Sequence, residues 1–150
     1  MKIAIANDHH GVNKKNMIIK YLKNKGYQVT DLGTNDTNIV DFPQYSFEVS
    51  NMVIDKKVDL GILICGTGIG MSIAANRVKG IRCAKINNVK DARFAKEHNS
   101  ANVLAIPSYL TNFNIKRMLD TFIKQVPSKL DRYKRRNEML DEYNSEDHVG

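Results

Sequence analysis

Apolar residues follow two rhythms along the chain. Short unbroken runs, Ile3-Ala4-Ile5-Ala6, Leu60-Gly61-Ile62-Leu63-Ile64 and Val103-Leu104-Ala105-Ile106, predict buried strands over 2–6, 60–64 and 102–106. Two weaker runs, 28–32 and 81–84, predict a second and a fourth strand. Between them apolar residues recur at helical spacing. Val12, Ile18, Ile19 and Leu22 mark a first helix, with Gly26 where a C-cap belongs. Asp41-Phe42-Pro43 leads into a helix over 44–56, and 71–77 forms a short one. Asn88 or Asp91 opens a helix that turns Ala92 and Ala95 inward and ends at Glu97-His98-Asn99. Thr111 caps a helix with the stripe Ile115, Met118, Leu119, Phe122 and Ile123. Pro127 interrupts the pattern before a last helix over 130–143. Strands and helices alternate, so the pattern predicts an α/β fold on a five-stranded parallel sheet. The linkers are short and no repeat is present. Residues 1–150 are expected to form one domain, with the acidic stretch 144–150 frayed.

Composition narrows the class. Apolar residues make up 42% of the 150, enough for a packed core. The net charge of +7 suits an anionic ligand, although a generally Lys-rich surface explains the excess as well. The two cysteines, Cys65 and Cys83, form no paired framework, so free thiols in a reducing cytoplasm are expected. The first apolar run is too short for a leader, and none is long enough to cross a membrane.

The densest chemistry lies in Cys65-Gly66-Thr67-Gly68-Ile69-Gly70, between the third strand and the next helix. Open α/β sheets bind their ligands at such junctions. Glycines let the backbone approach a ligand, and their N–H groups favour negative charge. A glycine-rich turn that only packs, with Cys65 as a small buried residue, is the plainer alternative. Asp8-His9-His10-Gly11 closes the first strand in the same way. If strands one and three are neighbours, a carboxylate, an imidazole, a thiol and a hydroxyl share one crevice. Those groups can move protons near neutral pH. Asp8 equally suits a helix cap, and His9 and His10 suit solvent. His98 near a helix C-terminus is explained by the helix dipole alone.

Lys129, Arg132, Lys134, Arg135 and Arg136 form a basic cluster. Arg132 and Arg136 share a helix face and suit a phosphate, or simply solvent. No aromatic platform supports nucleic-acid binding. The glycine-rich block is neither a Walker A loop, lacking Gly-Lys-Ser/Thr, nor a dinucleotide fingerprint, because Met71 stands where the third glycine belongs. The histidines and cysteines show no metal-ligand spacing.

Taken together, Asp8-His9-x-Gly11, Asp41-Phe42-Pro43, the block from Gly61 to Asn76, His98-Asn99-x-x-Asn102-Val103-Leu104 and Arg132-x-x-x-Arg136 resemble the type B ribose-5-phosphate isomerases. That family includes galactose-6-phosphate and allose-6-phosphate isomerases. The resemblance covers Lys2 to Arg136. It implies a Rossmann-like three-layer α/β/α sandwich with strands one and three adjacent and a C-terminal helix. It implies an aldose–ketose isomerase of the pentose phosphate pathway, without metal or other cofactor, acting on a phosphorylated sugar. It also implies a homodimer or dimer of dimers whose sites draw on both chains.

Carried onto this chain, the resemblance makes Cys65 the base that moves a proton between C1 and C2. Thr67 and the backbone of Gly66, Gly68 and Gly70 hold the enediolate oxygens. Asp8 and His98 assist ring opening. His9, Arg132 and Arg136 hold the phosphate, and Asn99 meets sugar hydroxyls. Two positions depart from the family. Tyr109 replaces a common arginine, and Tyr133 a common histidine. They keep a hexose 6-phosphate substrate open. His10 replaces a common small residue and offers a polar contact in return. A non-catalytic sugar-phosphate binder is the alternative from another class, and the retained thiol argues against it.

Overall fold

The computed structural model describes residues 1–143, so the stretch expected to fray, 144–150, lies outside the described residues. Five strands alternate with helices: β1 Lys2–Asn7, α1 Val12–Asn24, β2 Gln28–Asp31, α2 Phe42–Ile54, β3 Leu60–Cys65, α3 Ile69–Ala75, β4 Cys83–Lys85, α4 Val89–Glu97, β5 Val103–Pro107, α5 Asn112–Lys124 and α6 Asp131–Glu142. A single 3-10 turn, His9–Gly11, joins β1 to α1. The strands form one sheet in the order β2-β1-β3-β5-β4, every pair parallel. The expected three-layer α/β/α fold is present.

Residues alternate between the two faces of the sheet, as the pleat requires. Ile3, Ile5, Ile62, Ile64, Leu104 and Ile106 pack with α1, α4 and α5 through Ile18, Leu22, Ala92, Ala95, Ile115, Met118, Leu119 and Phe122. Ala4, Ala6, Leu63, Cys65, Val103 and Ala105 pack with α2 and α3 through Val49, Met71 and Ala75. The second face is made of smaller side chains, which lets α2 lie close to the sheet. Gly61 marks the closest approach: a Cβ there would fall 2.6 Å from Val49 Cγ1.

Three elements are displaced from the sequence pattern by more than one residue. Helix α2 starts at Phe42 rather than 44, because Pro43 sits in the first turn, where no N–H partner is needed. Helix α3 starts at Ile69 and ends at Ala75, two residues before the expected span, capped by Gly68 in the left-handed region at φ 77°. Strand β4 runs later than expected, because Lys85 still pairs with Ala105. Val12 and Ile19 are half-buried rather than central to the core.

Helix α6 buries no residue completely. It is held through polar groups. Arg82 Nη1 donates to both carboxylate oxygens of Asp141, and Asn137 Nδ2 donates to the His98 carbonyl at 3.0 Å. Tyr133, Asn137 and Asp141 are spaced four apart, so one polar stripe faces the body of the protein.

Gly61→Ala is expected to keep the fold while lowering its stability by about 1–3 kcal/mol, because the added methyl overpacks a closed contact. Chemical denaturation would read this as a lower midpoint with an unchanged slope. A neutral result would mean that Val49 has room to move.

Candidate active site

The strand order reverses direction between β1 and β3, so their carboxyl ends border the crevice of the sheet. The Asp8 N–H donates to the Ile64 carbonyl at 3.1 Å and so ties the end of β1 beside the end of β3. Asp8 is buried, and its Oδ1 accepts the His10 N–H at 2.9 Å, capping the 3-10 turn. Its Oδ2 lies 3.6 Å from His10 Nδ1. The His9 ring accepts the Val40 N–H on Nδ1 at 3.3 Å. A neutral His9 therefore carries its proton on Nε2.

Cys65 ends β3 and is 5% exposed. Its Sγ accepts the Gly68 N–H at 3.1 Å, and Thr67 Oγ1 accepts the Ile69 N–H at 3.2 Å. Gly68 is required twice over, by its positive φ and by a would-be Cβ 3.3 Å from Pro107 N. A Cβ on Gly66 would sit 3.7 Å from the His10 ring, so the two loops do face each other. Gly70 serves packing: its missing Cβ makes room for the Phe42 ring, 2.8 Å away. Burial pushes Cys83 up to about 12, so it stays neutral near physiological pH.

Sequence spacing offered no metal set, yet Asp8, His9 and His10 bring one ligand atom each within 4.8 Å of one another. Two of these groups are already engaged: Asp8 caps His10, and His9 accepts from Val40.

The other expected residues gather elsewhere. His98 closes α4, and its ring is stacked between Phe94 at 4.6 Å and Tyr133 at 4.5 Å. Asn99 Nδ2 donates to Asn137 Oδ1 at 3.1 Å. The guanidinium groups of Arg132 and Arg136 lie 5.0 and 5.9 Å from the Tyr133 ring centre. A cleft of about 340 Å³ opens here, lined by Arg82, His98, Ser128, Tyr133 and Asn137 among others. This group sits where α4 returns to the start of β5, at the amino edge of the sheet. Cys65 pairs with Pro107 at the other end of β5. Five residues of strand separate the two edges, about 16 Å at about 3.3 Å per residue. Within one chain, Asp8, His9, Cys65, Gly66, Thr67 and Gly68 come together, while His98, Asn99, Arg132 and Arg136 form a second group apart from them. Tyr109, in the loop after β5, belongs with the first group, and Tyr133 with the second.

Sequence reasoning missed Asn7, Arg82 and Asn137. Asn7 Nδ2 donates to the carbonyls of Asp8 and Thr34 at 2.8 and 3.0 Å, steadying the Asp8 loop. The signal for Asn137 was its four-residue spacing from Tyr133 and Asp141, which a search for apolar stripes passes over.

Known proteins are similar to this chain in sequence and fold. The family model described as Ribose/Galactose Isomerase matches residues 3–140. Galactose-6-phosphate isomerase subunit LacB of Clostridium acetobutylicum is 40% identical over 132 residues, 86% of this chain and 76% of that protein. The structure of ribose-5-phosphate isomerase B from Clostridium thermocellum aligns with a TM-score of 0.92 at 39% identity, covering 100% of both chains. Ribose-5-phosphate isomerase B from Mycoplasma genitalium, solved with bound ribulose-5-phosphate, aligns at 0.89 with 40% identity over 97% of each chain. The crevice at the strand reversal, the fold around it and these relatives agree: the chain belongs to the ribose/galactose isomerase family.

Proposed function

We propose that the chain is an aldose–ketose isomerase that interconverts ribose 5-phosphate and ribulose 5-phosphate. The observation that carries this reading is Cys65, a buried thiol at the strand-reversal crevice of a chain 40% identical to a relative solved with ribulose-5-phosphate. In the forward direction the Cys65 thiolate takes the proton from C2 of the open-chain aldose and returns it to C1, while the hydroxyl proton of O2 is lost and O1 gains one. The charge that develops on the enediolate oxygens is held by Thr67 and the backbone N–H groups of the 66–70 turn. Donors fixed in advance stabilise that charge without reorganising. Asp8 and His98 open the sugar ring. His9, Arg132 and Arg136 hold the phosphate, and Asn99 meets sugar hydroxyls. Binding the unreactive phosphate anchors C2 over the sulfur.

The two residue groups lie at opposite edges of the sheet, so this mechanism requires a second subunit. The Cys65 group of one chain would meet the His98 and Arg136 group of its partner in a homodimer or a dimer of dimers. Apolar side chains left exposed on α3 and α6, Ile69, Ile73, Met139 and Leu140, fit such a contact. A soluble cytoplasmic protein is consistent with the absence of any membrane-length apolar helix among the described residues. A hexose 6-phosphate substrate is the second reading. Exposed Tyr109 beside the crevice and the galactose-6-phosphate isomerase relative favour it.

Ketose formation from ribose 5-phosphate and from allose 6-phosphate, measured in parallel, decides between them. Turnover of the pentose is expected to exceed that of the hexose. Cys65→Ala is expected to lower it by at least about a hundredfold, the scale of a lost general base. Intact turnover in that variant would remove Cys65 as the base.

Mixing tests the shared site. Cys65→Ala and Arg132→Ala/Arg136→Ala chains, each nearly inactive alone, are expected to regain about a quarter of wild-type activity after co-refolding, since a two-fold mixed dimer rebuilds one intact site. A site contained in one chain would regain none.

A further inference from the structure

We propose that Lys15, which no part of this mechanism uses, is a positioning residue: its buried ammonium holds the loop that orients His9. The inference rests on the reading that His9 meets the substrate phosphate. Lys15 lies on α1 with 0% exposure, one of the largest fully buried side chains among the described residues. An ammonium so deep persists only when its donors are matched. Here Nζ donates to the Thr34 carbonyl at 2.9 Å and to Asn35 Oδ1 at 2.7 Å, and it pairs with Asp31 Oδ2 at 3.2 Å. Three partners for three donors leave none unsatisfied.

All three partners lie within five residues, at the end of β2 and the start of the loop to α2. The ammonium therefore gathers this stretch against α1. The chain there lies directly on the site: a Cβ on Gly33 would fall 1.9 Å from Asn7 Oδ1. The Thr34 carbonyl that accepts from Lys15 also accepts from Asn7, whose amide reaches the Asp8 carbonyl as well. The far end of the same loop supplies the Val40 N–H to His9 Nδ1. One buried cation thus secures the loop that leaves the His9 Nε2 proton free to meet an anion. A strut with no such task would need no connection to His9. This one meets the His9 ring through Val40 at one end of the loop and, through Asn7, the carbonyl of the preceding Asp8 at the other.

The test replaces Lys15 with methionine, similar in length but without charge or donors. Imidazole nitrogen shifts of His9, read by NMR in the ligand-free protein, report the tautomer directly. The wild type is expected to show a single Nε2-protonated form, and the folded Lys15→Met variant a mixture. KM for ribose 5-phosphate is expected to rise about tenfold while kcat stays within about threefold, the pattern of lost ground-state binding. A folded variant that keeps the single His9 form overturns the proposal, as does a mixed His9 with unchanged KM. Should Lys15→Met fail to fold, Asp31→Ala decides. It removes one partner on an edge strand, and an unchanged His9 signal in it overturns the proposal. A wild type inactive on both sugar phosphates would refute the proposed reaction, whereas the His9 signal is read without turnover.

Discussion

The bond from the Asp8 N–H to the Ile64 carbonyl carries the constraint on which the site depends. It continues the parallel ladder one residue beyond β1 and makes the neighbourhood of β1 and β3 exact. Because the strand order reverses at this pair, nothing on the sheet itself covers their carboxyl ends. Two loops that are 57 residues apart, at Asp8 and Cys65, are thereby forced to face each other across Gly66 and His10. A different strand order would leave the same residues intact and the chemistry dispersed.

This much was legible in the sequence because each link has a strong local signal. Unbroken apolar runs announce the buried central strands β1, β3 and β5, and glycine with polar residues directly after them announces the loops. The resemblance supplied what local signals cannot, namely that strands one and three are adjacent. The edge strands were read less well. Strand β4, three residues of intermediate burial, has no apolar run to mark its end. The helix starts at Phe42 and Ile69 were displaced because proline and a left-handed glycine reset the first turn, which periodicity does not register.

What stayed invisible is polar and buried. Lys15 falls on a helix where lysine ordinarily faces water, and only the three partners that converge on its ammonium show otherwise. Helix α6 is attached through Arg82, Asn137 and the stacked rings of His98 and Tyr133, contacts that hydrophobic patterning cannot forecast. Gly70 has a packing reason that the sequence did not show: a Cβ there would fall 2.8 Å from the Phe42 ring.

The unequal faces of the sheet explain why the thiol is both sheltered and addressed. On the α1, α4 and α5 face, isoleucine and leucine keep the helices at full distance. On the other, Ala4, Ala6, Gly61 and Ala105 let α2 and α3 settle close, and Cys65 belongs to that face. Close packing brings the first turn of α3 onto the end of β3, so the Gly68 N–H reaches the sulfur while Met71 and Phe42 close the apolar side. A larger side chain on this face would push the helices outward and loosen the packing. The distance between helices and sheet is thus set along the whole face by its small residues.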